Sequence, residues 1–333
     1  MNHRFAEFFR SAQKAVKYCQ VKPSESVVIF ADTGKTPALV EAFFTAAQAV
    51  GAETIVVTME TKPQALLEPP AAAIRAMSGA DVVFDLATNP WLYTQATNTI
   101  LNSGTRMLQL LVNDETIIKR PPEDFIARRE VAGRKLLEGC STFRIKSEYG
   151  TNIVMERGNR PIHTQGGFVD HPGDWDSFAV CLAAFAPLED KANGPLALFG
   201  TMYLPPQHLF ITEKPIMTQV ENGRITHIQT DHREAQLLAD WLKSWNDPNS
   251  YVIAHTGFGI DHRAALHPPD PGAWESYLGG VNIAFGANNI PQLGGQTACK
   301  SHFDAVLLNV HVEVDGTPII QSGKFIEGLG FDA

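Results

Sequence analysis

"ESVVIFADTGKTPALVEAFFTAAQAVGAETIVVTME", Glu25–Glu60, reads as a strand–helix–strand unit. Ser26–Ala31 is a short β-branched run of the kind that makes a buried strand. Pro37 falls where a first helical turn accepts it, because its missing N–H would be unpaired there anyway. Ala38 to Val50 repeats apolar residues at helical spacing, Gly51 ends the helix, and Thr54–Thr58 forms the next strand. Further along, "ADVVFDLA" (Ala80–Ala87) and "TRMLQLLVN" (Thr105–Asn113) predict two more buried strands. The segment between them, "NPWLYTQATNTILNSG" (Asn89–Gly104), predicts a helix. Strands that alternate with helices form a parallel, Rossmann-like sheet.

Inside this unit, "DTGKT" (Asp32–Thr36) has the look of a phosphate loop. Such a loop needs an earlier glycine so that successive backbone N–H groups can close around the phosphates. Ile29 stands five residues before Gly34, within the strand, so the reading is a βα turn and no nucleotide is expected.

"PPEDFIARREVAGRKLLEG" (Pro121–Gly139) predicts a further helix, after which the texture changes to short strands and turns. Asn222-Gly223, within "KPIMTQVENGRITHIQT", is a strong hairpin signal. One clear helix remains, "DHREAQLLADWLKSW" (Asp231–Trp245). The expected organisation is an N-terminal α/β domain over residues 1–138 and a β-rich α+β domain over 139–333. The 333-residue chain is 44% hydrophobic and 19% charged, which suits a soluble protein with a real core. Its net charge of -9 and lack of a basic block argue against nucleic acid. No apolar run is long enough to span a bilayer. The 4 cysteines are scattered without a CxxC pair, which fits a reducing cytoplasm better than a disulfide framework.

The chemistry concentrates in the second half. In "GGQTACKSHFDAVLLNVHVEVDG" (Gly294–Gly316), His302 and Asp304 are two residues apart at the start of an apolar strand, so both side chains point to one face. An isolated pair of this kind is more often a hydrogen-bonded core histidine than a metal site. Two neighbours change that reading. "SYVIAHTGFGIDHRA" (Ser250–Ala264) carries a strand ending in His255, followed by Gly257 and Gly259, which permit close approach of a ligand. "GGVNIAFGANNIPQLGGQ" (Gly279–Gln296) is rich in glycine and asparagine, as loops that build sites are. Two histidines and a carboxylate form the facial set of non-haem Fe(II) oxygenases, which leaves the opposite face open for substrate and dioxygen.

These stretches, with "PIMTQVENGRI" (Pro215–Ile225), resemble the 2,5-dihydroxypyridine 5,6-dioxygenases, which share their fold with the M29 thermophilic aminopeptidases. The resemblance runs through most of the chain. It implies one Fe(II) per chain held by His255, His302 and Asp304, a small hydroxylated N-heteroaromatic and O2 as substrates, and a homo-oligomer. The peptidases hold two metals and carry a glutamate at the position of His255 and a histidine at that of Asn282. Loss of those ligands favours a mononuclear site here and leaves Asn282 to contact substrate. A peptidase-type Zn2+ or Co2+ hydrolase, or a binding protein on the same fold, are the alternatives.

"GGFVDHPGDWDSFAV" (Gly166–Val180) reads as a loop bearing Asp170, His171 and Trp175. The resemblance implies a similar loop near the pocket. Trp175 would stack on the ring and Asp170 would bind it, with His171 exchanging a proton. The family pattern has a proton-shuttling histidine after the strand that looks like "DVVFDLA". This chain continues "TNPWLYTQA" instead, leaving Tyr93 as a poor substitute and His171 as the better candidate.

Overall fold

The computed structural model describes residues 3–206 and 208–332. Two compact units form, and neither is continuous in sequence: residues up to Asp124 with Gln165–Val180, and Phe125–Thr164 with the chain from Cys181 onward. A single cut at Gly139 therefore does not describe them. The helix Asp124–Leu137, which the sequence places before the boundary, buries Ile126, Arg129, Gly133 and Leu137 in the second unit. A Cβ on Gly133 would lie 2.7 Å from Ala183 Cβ, so this helix sits too close for any side chain there.

The first unit holds a five-stranded parallel sheet in the order Glu53–Met59, Ser26–Asp32, Val82–Asp85, Arg106–Gln109, Trp175–Ser177. The first four strands are those the sequence predicts. The fifth corrects the reading of Gly166–Val180 as loop. Trp175 pairs with Met107 in parallel register and is buried, so it is a sheet residue and not an exposed stacking face. Three residues are too few to show strand periodicity in sequence. Asp176 next to it is also buried. Its Oδ2 accepts from the backbone N–H groups of Gly166, Gly167 and Phe168, so the carboxylate ties down the turn that leads into the strand.

The helix Pro37–Ala49 buries Ala38, Leu39, Ala42, Phe43, Ala46 and Ala47 at 3.6-residue spacing. It ends where Gly51 takes a φ of +87°, a conformation that favours glycine. The "DTGKT" turn is organised by its own aspartate: Asp32 accepts from the Gly34 N–H at 3.0 Å and from the Thr88 N–H and hydroxyl at 2.8 and 2.7 Å. The turn and the loop after the third strand are thus joined through one carboxylate.

Asp85 ends that third strand, fully buried, and accepts from the Ala87 N–H and from Gln109 Nε2. Burial pushes its carboxyl up to about 6 from the ordinary 3.8, against the two hydrogen bonds and Lys35. The folded state holds this proton more tightly than the unfolded chain does. Its contribution to stability is therefore complete below about pH 4 and lost as pH rises through 6. Asp85→Asn cannot ionise, and the amide of Gln109 can turn its unpartnered Oε1 toward the new N–H2. The expected result is a flatter pH–stability profile between 4 and 6 and a gain at pH 7 of about 2–3 kcal/mol. Denaturant titrations across this range measure it, and an unchanged slope would remove Asp85 as its source.

The second unit is antiparallel. An eight-stranded sheet contains the hairpin Ile216–Glu221 and Arg224–Ile228, turned as expected by Asn222 at φ +49° and Gly223 at +73°. The seven-stranded sheet runs His208–Ile211, Gly200–Leu204, His302–Leu307, Val281–Gly286, Ile253–Gly259, Leu182–Phe185, His163–Gln165. Of its three central strands, the outer two carry the histidines and aspartate that the sequence singled out, and the middle one carries Asn282. No described helix is long and apolar enough to cross a membrane.

Candidate metal centre

Strand register assembles the site. His302 and Asp304 alternate onto one face of His302–Leu307, as period two requires. On the next strand Gly286 stands opposite His302, and Ala284 opposite Asp304. On the strand beyond, His255 stands opposite Ala284. Directly opposed residues share a face, so His255 and Asp304 flank a methyl group, and His302 flanks a bare glycine. The middle strand contributes almost no side-chain volume. Its flanking ligands can therefore lean inward over it.

They do converge. His255 Nε2 lies 3.5 Å and His302 Nε2 3.3 Å from Asp304 Oδ1, and one ligand atom from each of the three residues falls within 4.8 Å of the others. The imidazoles are stacked at 5.3 Å. His302 Nδ1 lies 2.8 Å from the carbonyl of Ala287, which fixes the proton there and puts the lone pair on Nε2, the nitrogen that faces Asp304. His255 Nδ1 is buried with no hydrogen-bond partner among the described residues. Burial lowers the pKa of His255, against the pull of Asp304, and so favours the neutral ring that a metal requires. Asp304 is also buried, yet His302 and His255 outweigh that burial and hold its carboxyl far below the ordinary range. Two imidazole nitrogens and one carboxylate at these separations suit a single divalent ion with open positions.

His255 does not end its strand, as the sequence suggested; it is the third of seven buried residues. Gly257 and Gly259 lie within that strand. A Cβ on Gly257 would meet the Ala183 carbonyl at 2.1 Å, and one on Gly259 the Tyr277 carbonyl at 2.4 Å. The close approach they permit is that of neighbouring backbone and not of a ligand. Asn282 points to the same face as Ala284. Its Nδ2 donates to the Glu275 carbonyl at 2.8 Å, and its buried Oδ1 has no hydrogen-bond partner among the described residues. His262 belongs elsewhere, 3.0 Å from Arg129 and packed on Phe125.

Three groups that sequence reasoning passed over also face this centre. Tyr203 stands directly opposite Asp304, and burial with the charges of Asp304 and Glu275 pushes its hydroxyl up to about 12. Glu275 ends a short helix, Pro271–Glu275, and burial beside Asp304 and Asp270 raises its carboxyl well above the ordinary value. Buried His163 is lowered to about 3 by burial and then by His255 and Arg134. None has a local sequence signature; only the strand pairing brings them in.

The remaining expected residues belong to the first unit. Tyr93 is half-buried in the turn before the helix Gln95–Asn102. Asp170, His171 and Asp174 form an exposed cluster, with His171 Nδ1 2.8 Å from Asp170 Oδ1 and its side chain 78% exposed.

A seven-stranded antiparallel sheet carrying a largely buried two-histidine, one-carboxylate cluster, together with a parallel α/β unit, defines a protein of the aminopeptidase-like fold with a candidate metal centre. AmpT from Thermus thermophilus has that fold: its structure covers 96% of this chain and 99% of its own at a TM-score of 0.69 and 14% identity. The chain belongs to the family described as NicX: 2,5-dihydroxypyridine 5,6-dioxygenase, whose sequence model matches residues 7–327. The 2,5-dihydroxypyridine 5,6-dioxygenase of Pseudomonas putida KT2440 is 28% identical over 344 aligned positions, covering 96% of both chains. The solved structure of a 2,5-dihydroxypyridine dioxygenase from the same strain superposes at a TM-score of 0.89, with 25% identity over 98% of this chain and 99% of that one.

Proposed function

We propose that the protein is a mononuclear Fe(II) dioxygenase that opens the ring of a hydroxylated N-heteroaromatic, such as 2,5-dihydroxypyridine, to an N-formyl amic acid. The observation that carries this reading is the candidate ligand set: two imidazoles and one carboxylate converge on one point. Family membership adds the reaction class, since the relatives described above are dioxygenases. Iron, when bound by His255, His302 and Asp304, would hold the deprotonated ring hydroxyl and dioxygen side by side and make their reaction local. The protein's own groups supply the rest. The sheet shields the ligands from water, and Asn282 offers an acceptor at Oδ1 to a substrate N–H or O–H.

The test is anaerobic reconstitution with Fe(II), followed by oxygen uptake against hydroxypyridines and catechols. One iron per chain and uptake with a hydroxypyridine are expected. Two zinc or cobalt ions and peptide hydrolysis would replace the reading with a peptidase one.

Proton transfer is assigned to His171, whose ring is exposed and lies beside Asp170. Tyr93, Asp170 and Trp175 are the accompanying candidates; Trp175, as a buried strand residue, would act by shaping the unit more than by stacking. His171→Ala is expected to leave iron content unchanged and to lower kcat by roughly a hundredfold. An unchanged kcat would withdraw the assignment. Assembly as a homo-oligomer and a cytoplasmic location complete the proposal, the first measurable by sedimentation at micromolar concentration.

A further inference from the structure

The row of residues that crosses the sheet at Asp304 has a fourth member. Tyr203, Asp304, Ala284 and His255 stand opposite one another on four adjacent strands, so all four side chains project from one face. A tyrosine hydroxyl stands further from its own Cα than an aspartate oxygen does. Tyr203 therefore stands beside Asp304 on the ligand-bearing face, with a side chain long enough to reach past the carboxylate. Tyr203 is half-buried, and its hydroxyl makes no hydrogen bond to a protein group among the described residues. It lies on the strand Gly200–Leu204, between buried Met202 and Leu204. The hydroxyl is thus a pre-positioned donor with nothing to donate to in the protein itself.

We infer that Tyr203 contacts the bound ligand, its neutral phenol donating a hydrogen bond to an anionic oxygen at the open face of the metal. This rests on the single-ion reading of the centre; in the proposed reaction the oxygen is the deprotonated ring hydroxyl. Such a donor favours the anionic form of the ligand over the neutral one without adding a formal charge to the site. It would select rings that present an ionisable hydroxyl over isosteres lacking it, since a buried donor left unpaired is costly.

The test uses the Fe(II)-loaded full chain under nitrogen, with 4-nitrocatechol as the probe. Its visible band reports both binding and deprotonation, and it needs no turnover. Tyr203→Phe is expected to keep iron at the wild-type level and the same circular dichroism. It should bind the probe about tenfold more weakly, the scale of a lost hydrogen bond to a charged group. The pKa of the bound probe should rise by about one unit to match. Equal affinity and equal probe pKa in the two proteins would overturn the inference. So would loss of iron from the variant, which would make Tyr203 a support for Asp304, or a wild-type protein that does not bind the probe. If the difference appears while the wild-type protein fails to consume oxygen with any hydroxypyridine, the contact stands and the dioxygenase reading falls.

Discussion

Asp304→Ala is expected to give a folded protein that no longer holds iron. Asp304 is the only anion of the ligand set, and it lies within 3.5 Å of one imidazole and 3.3 Å of the other. Without it, two imidazole nitrogens remain, too few to hold a divalent ion against water. Even changes to groups that merely orient a ligand cost about 10–100-fold in metal affinity, so loss of the charged ligand should exceed that. The fold should survive. The strand's packing comes from its opposite face, where Phe303, Ala305 and Leu307 are buried, and Ala shortens only a side chain on the open face. Iron retained after anaerobic loading and desalting should drop below about a tenth of wild type by this scale. Full occupancy in Asp304→Ala would remove it from the ligand set. His255→Ala and His302→Ala carry the same expectation.

Ala284→Leu tests the geometry without touching a ligand. Ala284 lies between His255 and Asp304 in the strand register and is fully buried. A leucine there would fill the space into which the two side chains lean. Overpacking a buried position costs about 1–3 kcal/mol, which a domain of this size should survive. Iron binding and ring cleavage should both be lost, whereas Ala284→Gly should retain iron. A leucine variant with wild-type iron content would mean that the ion is not held above this strand.

How much of this was legible beforehand follows from the range of each signal. Period-two alternation is local, so His302 and Asp304 could be placed on one face from their spacing alone. The strand–helix alternation of Glu25–Asn113 likewise predicted four strands of a parallel sheet, all present. His255 is 47 positions from His302; a second strand with a histidine suggested the grouping, and the family resemblance assigned the ligand roles. In the structure it comes from two strand registers meeting at Ala284. The fifth parallel strand, Trp175–Ser177, was read as loop because it is short and because its partner, Arg106–Gln109, lies in a distant part of the chain.

Residue composition, strand period and motif by themselves determined the two kinds of sheet, the absence of a phosphate-loop glycine, and the paired ligands on one strand. Tertiary structure alone decided that a helix before Gly139 joins the second unit, that Gly257 and Gly259 serve backbone packing, and that Ala284 and Gly286 clear a space for the ligands. It also brought Tyr203 and Glu275 to that space. The division has a physical cause. Backbone preference and side-chain alternation act over a few residues, whereas the volume left between three strands depends on which residues face each other across hydrogen-bonded ladders, and that register is set only when the whole sheet closes.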